Sequence, residues 1–114
     1  MNSLDAYHLA LDLVKKAGFE FHTASQKSEA CYYFHPARKP YLLRIAQHRQ
    51  KKPEMGLSNI VAKLTFSTEH GFSEQRVRNA LALAIGHYFL TEPKPSRYFG
   101  KKGTWEGEST IRPA

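Results

Sequence analysis

The sequence contains a single cysteine, Cys31, among its 114 residues. One cysteine cannot form an intramolecular disulfide, and it cannot supply a cysteine-based zinc site. Because Cys31 lies in an apolar stretch, we interpret it as a buried structural thiol rather than as a nucleophile. The six histidines show no His-x-x-x-His spacing. The sequence therefore predicts no metal site and no bound cofactor.

Long apolar runs are also missing from the chain. No segment approaches the roughly 20 apolar residues that a membrane-spanning helix needs. Asp5, His8 and Asp12 interrupt the apolar residues near the start of the sequence, a pattern that is not typical of a secretory signal peptide. These observations predict a cytoplasmic protein that does not bind membranes.

Motifs that would define an enzyme class are absent as well. The chain has no glycine-rich phosphate loop, no nucleophile elbow and no dinucleotide-binding fingerprint. Its best candidate acid–base pair is Glu29 and His48, which the register of a hairpin would bring close together. An ordinary cross-strand polar pair explains the same two residues. We therefore assign no catalytic residue and favour a non-enzymatic role.

Positive charge is the main compositional bias that is present. Lysine and arginine together number 17 against 10 aspartates and glutamates, which gives a formal charge of +7. This balance favours a polyanionic partner, although a generally basic surface on a soluble protein would give the same composition. Hydrophobic residues make up 41% of the chain, which is enough for one folded domain.

Two segments have the periodicity of amphipathic helices. Ser3 is the expected N-cap of the first helix, and Gly18 is its expected left-handed cap, with Phe19 folding back onto the last turn. Ser73 is the expected N-cap of the second helix, which should end near residues 89–90. The apolar positions that recur at helical spacing are Leu4, Tyr7, Leu11 and Val14 in the first helix, and Val77, Ala80, Leu81, Ala84, Ile85 and Tyr88 in the second.

Three segments of alternating polarity between the helices are predicted strands, at Glu29–His35, Tyr41–His48 and Asn59–Phe66. In the second segment, the alternation places Leu43 in the core and leaves Arg44 facing solvent. A short helix is an alternative for the third segment.

The order of these elements predicts an α+β fold of the type α-β-β-β-α. Its sheet would be three-stranded and antiparallel, with both helices packed on one face. Residues 1–90 would form this single domain, in which residues 19–21 are a short extended lead-in and residues 23–28 are a polar turn. Residues 91–114 contain prolines and glycines without periodicity, and we predict a flexible C-terminal tail there.

Two short segments point to a known family. Residues 13–19, Leu-Val-Lys-Lys-Ala-Gly-Phe, end the first helix with a glycine–aromatic step, and residues 34–36 are Phe-His-Pro. Both segments resemble the HicA family of small toxins, which cleave messenger RNA and have the fold of double-stranded-RNA-binding domains. The resemblance implies that fold for residues 4–66. The Gly-Ser-His motif of the family corresponds to Lys27-Ser28-Glu29 here, and without the histidine the ribonuclease activity does not carry over.

Cations and tyrosines around the predicted hairpin suggest a binding surface. Arg44 and Lys63 would share the outward face of the sheet, and further cations lie at both ends of the hairpin. These cations would contact phosphates without reading sequence, and tyrosines would stack on unpaired bases. The predicted nucleic-acid-binding residues are Arg38, Lys39, Arg44, Arg49, Lys51, Lys52, Lys63, Tyr33 and Tyr41.

The sequence therefore favours a non-enzymatic protein that binds nucleic acid, as RNA or single-stranded DNA. One alternative is a small phage or mobile-element protein that inhibits or masks another macromolecule, which would give it a protein partner. A second alternative is a ribonuclease toxin of the HicA type, which Glu29 disfavours.

Overall fold

The chain folds as two helices and a mixed sheet in a computed structural model, which describes residues 1–25, 29–47, 59–67, 71–91 and 110–111. The strands of the described residues form one sheet in the order β1-β2-β3-β4-β5. The fold is therefore α+β, as predicted. In chain order the elements are α1 (Ser3–Lys16), β1 (Glu20–Ala24), β2 (Ala30–Phe34), a 3₁₀ turn (Pro36–Arg38), β3 (Leu42–Ala46), β4 (Ile60–Thr65), α2 (Glu74–Leu90) and β5 (Thr110–Ile111).

The directions of the strands correct the predicted antiparallel sheet. β2 is antiparallel to both β1 and β3. β3 and β4 are parallel, with Leu43 opposite Ala62, and β4 and β5 are parallel as well. Alternating polarity shows which residues share a face of a strand, but it carries no information on the direction of the neighbouring strand. The sequence pattern therefore could not distinguish the two arrangements.

The strand β1 lies partly in residues for which we predicted a polar turn. Its register with β2 shifts between Phe21 and Thr23, so an irregularity at His22 breaks the alternation on which strand prediction depends. β1 is also an edge strand, and its first three residues are exposed. Because of both features, β1 lacks the regular alternation of apolar and polar residues by which a strand is predicted from sequence.

The ends of α1 follow the capping residues of the sequence closely. Asn2, rather than the predicted Ser3, is the N-cap, and its side-chain oxygen accepts a hydrogen bond from the Asp5 N–H at 2.8 Å. Gly18 has a φ of +93°, which confirms the predicted left-handed cap. The backbone N–H of Phe19 then turns back to donate to a carbonyl of α1.

The boundaries of α2 agree with the prediction. The side chain of Ser73 accepts a hydrogen bond from the Arg76 N–H at 3.1 Å, and the helix ends at Leu90. Neither α1 nor α2 is both long and apolar enough to cross a bilayer.

The main core lies between the two helices and one face of the sheet. Side chains from α1 and α2 join alternate residues of β2 and β3, and several residues of β4, in a single buried cluster, so both helices pack on the same face. Its largest fully buried members are Tyr7, Val14, Tyr33, Leu43, Ile45, Val61, Leu64, Phe66, Val77 and Tyr88.

The other face of the sheet is also buried, in a smaller apolar cluster that we call the second-face cluster. Its members alternate with the residues of the main core along β2 and β3, so they point the opposite way. The second-face cluster consists of Ala30, Tyr32, Leu42, Ala46 and Ile60, with Phe34 packed against it.

Part of the predicted tail belongs to the sheet. Thr110 and Ile111 pair with Lys63 and Leu64 of β4. Residues 92–109 and 112–114, which make up most of the predicted tail, lie outside the described residues.

Replacing Leu43 with alanine tests the assignment of the core face. Leu43 is fully buried, so we expect the free energy of unfolding to fall by about 2–5 kcal/mol through lost burial and a residual cavity. Leu83→Ala is the control, because Leu83 is 61% exposed and the same change should cost no more than about 0.5 kcal/mol. Urea denaturation measures both, and equal losses would contradict the assignment.

Candidate nucleic-acid interface

Arg38 links the connection between β2 and β3 to the C-terminal end of α2 by hydrogen bonds. Its guanidinium donates hydrogen bonds to the carbonyl of Tyr88 and, at 2.8 Å, to the carbonyl of Thr91. The guanidinium also lies over the ring of Tyr41, 4.9 Å from its centroid. A cation at this position satisfies carbonyls that the helix leaves without partners and interacts favourably with the helix dipole. Arg38 therefore caps α2.

The Tyr88 phenol binds the same connection from within the core. It accepts a hydrogen bond from the His35 N–H at 3.0 Å and donates to the Tyr41 carbonyl at 2.6 Å. Burial raises the pKa of Tyr88, although the hydrogen bond from His35 and the charge of Arg38 oppose that shift. The phenol therefore stays protonated and can donate. We call Arg38 and Tyr88, with these bonds, the connection hub.

A pocket opens next to the connection hub, on the same face as the second-face cluster. Among the described residues it is lined by His22, Phe34, Lys39, Pro40 and Leu42, and its volume is about 280 Å³. The Lys39 ammonium lies 5.1 Å from the centroid of the Phe34 ring. The His22 imidazole meets the same ring edge-on, with 6.4 Å between the centroids. We call this site the connection pocket.

The lining of the connection pocket suits a flat ring that is attached to an anion. Phe34, Pro40 and Leu42 offer apolar surface on which a ring can pack. Lys39 and His22 are both exposed, and a lysine ammonium can bind a phosphate as a point charge. The volume is near the lower end of the roughly 300–1,000 Å³ typical of small-molecule sites. It matches one nucleobase better than a large cofactor.

Three of the predicted binding residues have contacts inside the protein. Arg38 and Tyr41 contact each other in the connection hub, and Tyr33 lies in the main core with 1% exposure. The expectation that Tyr33 stacks on a base is therefore wrong, because both faces of its ring are covered. Lys39 lines the connection pocket, as a binding residue would.

The second face of the sheet does not present the cationic surface that we predicted. Arg44 is only 4% exposed, so the prediction that it faces solvent is wrong. The alternation of polarity correctly placed Arg44 on the other face of the sheet from Leu43. It could not reveal that this second face is buried as well. Lys63, directly beside Arg44 in register, is partly buried. The other predicted cations, Arg49, Lys51 and Lys52, lie outside the described residues.

Sequence reasoning missed His22 and Phe34 as lining residues. Phe34 lies in the first predicted strand, but nothing in the sequence marked an opening there. His22 reaches Phe34 through the pairing of β1 with β2, and β1 was not predicted as a strand of the sheet. A local signal for this part of the site was therefore lacking.

Glu29, one half of the candidate acid–base pair, lies beside the end of β3. The Glu29 carbonyl accepts a hydrogen bond from the Gln47 N–H at 2.8 Å, as the predicted hairpin register requires. His48, the other half of the candidate acid–base pair, lies outside the described residues. Within the part of the chain that the structure describes, no group of three or more His, Cys, Asp or Glu side chains could hold a metal ion.

Cys31 is buried, as predicted, and it contacts a buried tyrosine. Its Sγ lies 3.2 Å from the Tyr7 hydroxyl, and burial together with this contact raises the pKa of Tyr7. Burial, followed by the charges of Cys31 and Asp12, raises the pKa of Tyr33 to about 12. These groups belong to the main core beneath α1.

No family model, curated protein or solved structure matches this chain. The resemblance to HicA toxins and double-stranded-RNA-binding domains therefore stays a prediction.

The raised pKa of Tyr33 predicts a loss of stability at alkaline pH. Its pKa of about 12 in the folded state exceeds the usual value of 10.0, so its contribution is complete below pH 10 and disappears as the pH rises towards 12. Over this range the contribution falls by about 1.4 kcal/mol per pH unit. Tyr33→Phe should show a shallower decline of the free energy of unfolding, measured by urea denaturation. Identical slopes for the two proteins would contradict the burial effect.

Arg38→Met should destabilise the protein by about 1.5–3 kcal/mol, because two carbonyls lose hydrogen bonds from a charged donor. Methionine keeps much of the length and apolar surface of the side chain. The control is Arg78→Met, which removes an exposed ion pair with Glu74 and should cost no more than about 0.5 kcal/mol. If urea denaturation gave the two variants the same stability, Arg38 would not cap α2.

Proposed function

We propose that this protein binds single-stranded nucleic acid without catalysing a reaction, and that the connection pocket holds one unpaired base. The observation that carries the proposal is the combination of apolar walls and two basic groups in one pocket, on a chain of charge +7. We expect the protein to act in the cytoplasm.

The bound base would pack against the ring of Phe34, with Pro40 and Leu42 closing the apolar surface around it. Lys39 already lies over the Phe34 ring, so its ammonium is close to where the phosphate next to that base would be. His22 supplies a second group that can donate a hydrogen bond or carry charge. None of these contacts distinguishes one base from another, so we expect weak sequence preference.

The pocket shape favours single strands over duplexes. A base can enter a concave pocket only when it is unstacked and unpaired, and extracting it from a duplex costs free energy. The burial of the second face leads to the same expectation, because the described part of the sheet offers no broad cationic face for a double helix. RNA and single-stranded DNA present the same ring and phosphate to the pocket, so both are expected ligands.

A second candidate function, the masking of another macromolecule, is favoured by a separate observation on α2. Leu83 and Leu90, seven residues apart on the helix, are 61% and 84% exposed, and Phe89 is exposed beside Leu90. Exposed apolar residues close together on one helix suit a protein partner. Binding of this kind would depend on α2 rather than on the connection pocket.

Binding to labelled oligonucleotides, followed by fluorescence anisotropy across a salt series, tests the first proposal. Phe34→Leu should weaken binding by about 5- to 150-fold, as expected for the loss of one stacked base worth about 1–3 kcal/mol. Lys39→Gln should weaken binding and reduce the salt slope by about one charge. Single-stranded RNA and DNA should bind more tightly than duplex DNA.

Lys16→Gln is the matched control for the charge effect. It removes the same charge from an exposed position at the end of α1, which packs on the main-core face of the sheet. An equal loss in the Lys16 and Lys39 variants would show that net charge, rather than the pocket, drives binding. Absence of binding to any oligonucleotide near physiological salt would refute the proposal and favour the masking function.

A further inference from the structure

Arg44 is a buried cation without the hydrogen bonds that such a group normally has. Its side chain is 4% exposed, and its Nε and Nη2 atoms have no hydrogen-bond partner among the described residues. None of the described carboxylates forms an ion pair with it. Buried polar groups in native proteins are almost always paired, and a buried charge without a partner is costly. This exception calls for a ligand.

The two unpaired atoms define the kind of ligand. The N–H groups of Nε and Nη2 lie along one edge of the planar guanidinium and point the same way. This edge is the one that binds two oxygens of a carboxylate or phosphate in parallel. This edge of Arg44 therefore has the donor geometry that binds an oxyanion.

The neighbours of Arg44 favour an anion with more than one charge. Lys63 lies directly opposite Arg44 on β4, on the same face, and Tyr32 lies directly opposite on β2. Arg44 and Lys63 stand at adjacent positions on one face of the sheet, so a single bound anion can contact both. A phosphate group carries a charge of about −1.5 to −2 and has enough oxygens for both the Arg44 fork and a neighbouring ammonium.

We propose that the Nε–Nη2 edge of Arg44 is a binding site for a phosphate group on the second face of the sheet. This site goes beyond the proposed function, because it needs neither the connection pocket nor a base. The phosphate can come from the free ion or from a phosphate ester such as a nucleoside monophosphate, and these two sources are tested separately.

Phosphate-dependent stability is the first test. The urea midpoint of the parent protein should rise as inorganic phosphate replaces chloride at constant ionic strength, because a ligand of the folded state stabilises it. Arg44→Met removes the unpaired donors but keeps apolar bulk, so without phosphate it should be at least as stable as the parent. It should show no response to phosphate. Arg44→Lys keeps the charge without the fork, and its apparent phosphate affinity should fall by at least about tenfold.

The ¹⁵N-labelled Nε–H resonance of Arg44 gives a direct reading on the folded parent protein, whatever the variants do. It should shift on titration with inorganic phosphate, with adenosine monophosphate, or with both, and the arm that shifts it identifies the source. Lys16→Gln is the control, and it should keep the phosphate response of the parent. An unmoved Arg44 resonance in both arms would overturn the proposal, as would an equal rise in the urea midpoints of the parent and Arg44→Met. These titrations with inorganic phosphate involve no nucleic acid. They therefore test the phosphate site at Arg44 even if the protein proves not to bind nucleic acid.

Discussion

The position of the candidate interface depends on the connection hub. The Tyr88 phenol binds the backbone of His35 and Tyr41, one on each side of the β2–β3 connection, while Arg38 binds carbonyls at the end of α2. Lys39 and Pro40 lie between these anchored residues, so the hub determines where both stand beside the sheet. The pocket is thereby coupled to α2, although α2 packs on the other face. Tyr88 is fully buried in the main core, and burial raises its pKa, so the phenol stays protonated and keeps its hydrogen bond to the connection. The same residue therefore contributes both to the core and to the position of the pocket.

Burial of both faces of the sheet is the second constraint. Every residue of β3 is buried, and β2 and β4 contribute to both the main core and the second-face cluster. Strands in this situation need apolar residues at nearly every position, and they leave little sheet surface for a ligand. Contacts with a partner must then come from the edges, the connections and the outer sides of the helices. Arg44 is the exception that the apolar pattern does not explain, and it is therefore the most informative polar residue of the sheet.

The sequence predicted the features that local chemistry determines. The cap of α1 at Gly18 and the place of Leu43 in the core were both predicted, because capping and alternating polarity depend on residues that are close in sequence. The direction of β4, the existence of β1 and the covering of the second face depend on contacts between distant residues, so the pattern could not supply them. The site divides in the same way. Lys39 was recognisable as a cation in a hairpin connection, whereas His22 and Phe34 come together only through the irregular pairing of β1 with β2.

We propose the connection pocket as the place where a single strand binds. Amide chemical-shift mapping with a short unlabelled single-stranded oligonucleotide tests that claim most directly, because it locates contacts without any substitution. The largest changes should occur at His22, Phe34, Lys39 and Leu42, which line the pocket. Changes concentrated on the outer side of α2, with the pocket residues unmoved, would contradict the account.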